Sequence, residues 1–93
     1  MDELIMFKAL NGEEVIARLI DETKTEYTIE RARVLSMQAG REPGQVTVAM
    51  IPWYLGDPDG TADVYKAHIF SRIKTIPVEL AKGYMNQTSP ILT

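Results

Sequence analysis

Apolar and polar positions alternate over two neighbouring stretches, Leu4–Leu10 and Glu13–Ile20, and a period of two predicts a pair of β-strands. In the second stretch Val15, Ala17 and Leu19 share one face, while Glu14, Arg18 and Glu22 lie on the other with Ile16 and Ile20 between them. Asn11-Gly12 separates the two runs. Both residues tolerate positive φ, as a type I′ turn requires, and the twist of that turn matches its flanking strands, so a tight hairpin is expected. A third strand is expected over residues 26–38, with an apolar face that opens at Tyr27 and Ile29 and then slips. Arg31 and Arg33 stand where the face would continue, and it resumes at Ala32 and Val34. A bulge or sharp bend produces such a slip, and small barrels use one to wrap a strand around the core.

Gly40, Pro43 and Gly44 mark a loop over residues 39–44. Residues 45–55 are then apolar on both faces, with Val46, Val48 and Met50 on one and Ala49, Ile51 and Trp53 on the other. A short chain has little material to cover both sides of such a strand. One face or edge is therefore expected to pack against a second copy, through Val46, Val48, Met50, Ile51 and Trp53, with Ile69 joining from the last strand. Pro52 lacks a donor and confines its part of the strand to an edge or bulge. Residues 56–63 are rich in turn formers. Residues 64–74 alternate again, setting Tyr65, Ala67, Ile69 and Ile73 against Lys66, His68, Arg72 and Lys74, with Phe70 among them. Pro77 and Glu79 open a segment that suits a short helix to about Thr88, with Val78, Leu80, Ala81, Tyr84 and Met85 available for packing and Gly83 weakening it. The expectation is one domain over residues 1–93: a mostly β, strongly bent five-stranded barrel over 1–76 and a C-terminal helix over 77–88.

Composition supports a folded chain, with 45% hydrophobic and 25% charged residues. No apolar run reaches the roughly 20 residues of a membrane helix. The acidic start, Met-Asp-Glu, is unlike a basic secretory leader, and the lack of cysteine fits a reducing compartment. A cytoplasmic protein without membrane contact is expected. The net charge of −3 is unevenly spread. The first 30 residues hold eight acids (Asp2, Glu3, Glu13, Glu14, Asp21, Glu22, Glu26, Glu30) against Lys8, Arg18 and Lys24, whereas residues 31–56 hold Arg31, Arg33 and Arg41 against Glu42. This balance argues against broad nonspecific attraction to phosphate backbones and leaves room for a local basic patch.

A small bent five-stranded barrel fits the SH3, OB and Sm types. Leu10-Asn11-Gly12-Glu13-Glu14-Val15-Ile16-Ala17 resembles the opening of the first Sm motif in bacterial Hfq-like proteins, and Val64-Tyr65-Lys66-Ala67-His68-Ile69 resembles the Tyr-Lys-His stretch on that family's last strand. The chain departs from the pattern in carrying Ala17 at a position where the family has glycine, and in placing its helix after the barrel. The resemblance implies a Sm-like, ring-forming, RNA-binding protein whose last two strands pair between neighbouring subunits, in a homo-oligomer of about five to seven copies.

Candidate chemistry follows from the same residues. Lys66, His68, Arg72 and Lys74 on one strand face would gather positive charge around one opening of a ring, or would simply form a solvated edge face that discourages aggregation. Arg31 and Arg33 would present guanidinium groups to phosphates, or pair with Glu30 and other carboxylates. Tyr27, beside the second turn, is the preferred stacking platform for a base, ahead of Trp53, Tyr54 and Phe70, which suit core or interface. Asp57, Asp59 and Asp63 read as Asx-type turns, because the further ligands and terminal Glu of a calcium loop are absent. Catalysis has little foothold: one histidine, no cysteine, no Gly-x-Ser-x-Gly and no phosphate-binding glycine loop. The expected function is non-catalytic binding of single-stranded nucleic acid, RNA ahead of DNA, without cofactor or metal. The alternative is a structural or protein-interaction scaffold with no nucleic-acid site.

Overall fold

The computed structural model describes residues 3–88. β1 (Glu3–Ala9) and β2 (Glu14–Glu22) form the antiparallel hairpin, in register from Glu3 opposite Leu19 to Lys8 opposite Glu14. Its turn differs from the expected type I′. Gly12 takes φ +90°, Asn11 stays at negative φ, and the Gly12 amide donates to the Ala9 carbonyl at 2.9 Å. Asn11 uses its side chain instead, accepting the Glu13 amide at 3.0 Å. A three-residue connection that closes on a left-handed glycine gives the strands the same twist.

β3 (Glu26–Ala39) bends where the apolar phase slips: Arg31 has φ +54°, and the pairing with β2 shifts register between Ile16 and Arg18. The bend divides the other edge of β3 between two partners. β4 (Val46–Pro52) pairs with its second half, Arg33–Ala39, and β5 (Thr61–Tyr65) pairs with its first, Glu26–Glu30. A 3₁₀ turn, Lys66–His68, leads to β6 (Ile69–Ile73), which pairs with β1, and α1 (Val78–Thr88) ends the described chain. The sheet is antiparallel, ordered β4-β3-β2-β1-β6 with β5 also on β3.

Three expectations change here. The described residues form six strands rather than five, because the stretch expected as one last strand gives two, β5 and β6. The continuous strand expected over 64–74 is broken, because the chain leaves the β3 edge and must turn to reach the β1 edge. The Lys66 amide on the Thr25 carbonyl (2.8 Å) and the Leu10 amide on the His68 carbonyl (3.3 Å) pin that corner. The sheet is also open rather than a closed barrel: among the described residues no ladder joins β4 to β6.

Each face of the sheet buries its own cluster. Ile5, Phe7, Val15, Ala17 and Ile29 form the larger one, with Leu19, Val34, Trp53 and Ile69 packed against it. On the opposite side Met6, Ile16 and Tyr84 are buried, with Leu4, Leu35, Met50, Ile76 and Leu80 around them. Tyr84 carries this second cluster. Its ring is fully buried, and its hydroxyl donates to the Arg31 carbonyl at 2.9 Å, at the bend itself. The face of β4 that contains Met50 is thus covered at that residue by the chain's own helix, and Gln87 Nε2 also donates to the Met50 carbonyl (2.8 Å). Among the described residues, no helix is long and apolar enough to cross a membrane.

Candidate nucleic-acid interface

The turn between β2 and β3 is built on Thr23. Its Oγ1 accepts the amides of Thr25 (3.3 Å) and Glu26 (3.1 Å), and its own amide donates to the Glu26 carbonyl (2.9 Å). Lys24 therefore stands at a braced tip. The bond from the Lys66 amide to Thr25 draws the 3₁₀ turn alongside, and the two corners enclose a groove of about 660 Å³ lined by Lys24, Thr25, Tyr65, Lys66, Ala67 and His68. Tyr65 is 54% exposed, and its ring meets His68 edge-on at 5.5 Å. An exposed aromatic pair beside two ammonium groups can stack a base and hold a phosphate.

Tyr27 lies under this groove and does not offer the stacking surface expected of it. It is only 8% exposed, and cations occupy its ring: Lys66 Nζ is 4.9 Å and the Arg72 guanidinium 5.4 Å from the centroid. It orients those two cations instead. Both are also ion-paired, Lys66 with Glu22 at 2.6 Å and Arg72 with Glu3 at 3.1 Å. The hydrogen bond from Lys66 holds the Glu22 carboxyl below the usual carboxylate range. For Arg72, burial opposes the charge, but the contacts with Tyr27 and Glu3 outweigh it and hold the guanidinium above its ordinary value.

Of the other expected nucleic-acid residues, Lys74 lies just beyond β6 and does not line the groove. Arg31 sits at the bend, its amide donating to the Gly60 carbonyl (3.3 Å). Arg33 is buried and engaged elsewhere: Nη1 donates to the Pro58 carbonyl (2.6 Å) and Nη2 to Asp59 (2.8 Å). Lys24 and Tyr65 were missed. Alternation grouped Tyr65 with Ala67, Ile69 and Ile73, but within β5 Val64 is the buried residue and Tyr65 the exposed one, and the phase changes only at the break after it. Of the aspartates in the turn-rich loop, Asp59 serves Arg33 and Asp63 accepts the Thr28 hydroxyl at 2.8 Å.

The residues expected at an interface between copies divide in two. Val46, Val48 and Ile51 are exposed along β4, whereas Met50, Trp53 and Ile69 pack within the chain. Phe70 on β6 is 74% exposed. Both strands end the sheet order, so each leaves one edge without a strand neighbour among the described residues.

No protein-family model matches this sequence, and no curated protein matches it.

Proposed function

We propose that this chain is a non-catalytic nucleic-acid-binding protein, taking single-stranded RNA ahead of DNA, that works as a Sm-like ring of identical copies. The groove between the two corners carries the reading. Two segments some forty residues apart in sequence supply Lys24, Lys66, Tyr65 and His68 to one cleft, the donor and stacking set that unpaired nucleotides require. Repetition around a ring would convert weak single contacts into useful affinity. The bare apolar edges of β4 and β6 support such assembly.

Fluorescence anisotropy with labelled single-stranded RNA at low salt tests this. Binding should weaken with rising salt and fall about tenfold or more in Tyr65→Ala, since base stacking is worth about 1–3 kcal/mol. Undetectable binding at low salt would overturn the reading.

A scaffold without a nucleic-acid site is the second reading, and the ion pairs of Lys66 with Glu22 and Arg72 with Glu3 favour it, because carboxylates already occupy those cations. Glu22→Gln separates the two readings: it strengthens RNA binding if the groove takes phosphate and leaves self-assembly unchanged.

A further inference from the structure

The loop between β4 and β5 builds a second cleft, away from the groove and unlike it in charge. It holds about 690 Å³ and is lined by Trp53, Tyr54, Leu55, Asp57, Gly60 and Thr61, among others, a volume within the range of ligand sites. The loop is held from beneath. The Trp53 amide donates to the Ala32 carbonyl (3.0 Å), the indole Nε1–H to Glu13 (3.2 Å), and the indole ring packs edge-on against Phe7 at 5.8 Å. Buried Arg33 clamps the far side through Pro58 and Asp59. Trp53 and Tyr54, centroids 5.2 Å apart and tilted by 48°, form an aromatic wall, with Leu55 80% exposed beside them.

Asp57 gives the cleft its polarity. The Gly60 amide donates to the Asp57 carbonyl (3.1 Å), and a Cβ on Gly60 would crowd the Asp57 carboxylate out of its present position. Asp59 and Asp63 are engaged by Arg33 and Thr28, but the Asp57 carboxylate has no hydrogen-bond or ion-pair partner among the described residues. Aromatic faces, an aliphatic surface and one free carboxylate together suit a cation on an alkyl stem. An anionic ligand would meet Asp57 instead. Complementarity with the Asp57 carboxylate and with the chain's net charge of −3 favours a basic partner.

We propose that the Trp53–Tyr54–Asp57 cleft takes an arginine or lysine side chain from a different, basic polypeptide. The inference does not rest on the nucleic-acid reading, because the two sites share no residue.

Trp53 is the chain's single tryptophan, so its emission reports on this cleft. Titration of the whole protein with N-acetyl-arginine amide should change that emission saturably. The uncharged citrulline analogue should bind roughly tenfold more weakly, in keeping with loss of the cation. Asp57→Asn and Tyr54→Ala should each weaken the arginine probe about threefold to tenfold, with circular dichroism confirming a retained fold. Equal binding of the two probes, no saturation by about 100 mM, or a preference for a mononucleotide would overturn the proposal. So would an emission change that grows with protein concentration alone, since that would assign the cleft to a second copy.

Discussion

Arg31 holds a left-handed backbone, φ +54°, that a side chain occupies at a cost of roughly 1–2 kcal/mol. Its amide meets the Gly60 carbonyl and its carbonyl receives the Tyr84 hydroxyl, so the neighbours of the bend maintain the strain. Arg31→Gly should leave stability unchanged or raise it by up to about 1 kcal/mol, while Arg31→Val, β-branched at positive φ, should cost about 2 kcal/mol; urea unfolding measures both. The bend itself was legible, because Arg31 and Arg33 interrupt an apolar face that Ala32 and Val34 resume. The stabilising partner was not, since nothing local ties Tyr84 to a residue more than fifty positions earlier. Burial pushes the Tyr84 phenol up to about 12, against opposing guanidinium groups of Arg33, Arg18 and Arg31. The folded form therefore resists ionisation more than the unfolded chain, whose tyrosine titrates near 10. This contribution is complete below about pH 10 and declines as the pH rises towards about 12. Alkaline unfolding of Tyr84→Phe, followed by circular dichroism, should fall less steeply across that window, while at neutral pH the variant should be about 1 kcal/mol less stable for the lost hydrogen bond to Arg31.

The β1–β2 hairpin was readable from two apolar-rich runs split by Asn11-Gly12, and both strands appear within a residue or two of their expected limits although each is buried on both faces at its centre. The break at Lys66–His68 was not readable. It marks an exchange of strand partners, from β3 to β1, and side-chain alternation carries no information about which strand lies alongside. The same blindness hid Tyr65 and Lys24, the groove residues that depend on that corner. The apolar pattern around Met50 suggested cover by a second copy, whereas α1 covers that residue from within the chain. Gly83 lies in the middle of α1, and a Cβ there would meet Met50 Cε at 3.5 Å, ordinary contact. Gly83→Ala should then gain helix propensity without a clash and raise stability by about 0.5–1 kcal/mol in thermal unfolding. A loss of stability would mean that helix and strand lie closer than this spacing allows.

At the scale of the molecule, the two ends of the sheet are different surfaces on one chain. β4 exposes Val46, Val48 and Ile51, and β6 exposes Phe70. If copies join by laying one end against the other, the contact is heterologous, and each chain keeps one donor and one acceptor edge. An isologous dimer would use a single edge twice. Edge-blocking lysines distinguish these arrangements, because a charge on an exposed strand position opposes pairing while leaving the buried clusters intact. Val46→Lys with Val48→Lys disables the β4 end, and Phe70→Lys disables the β6 end. In light scattering after gel filtration, the unmodified chain should run as a larger closed species if the proposed ring forms, and each variant alone as a monomer of about 10.5 kDa. Mixed in equal amounts, the two variants retain one intact edge each that can meet the other, so a species of twice that mass should appear and grow no further. A mixture that stays monomeric, or an unmodified chain that is itself monomeric at micromolar concentration, would remove the ring and with it the avidity on which RNA binding through one modest groove depends.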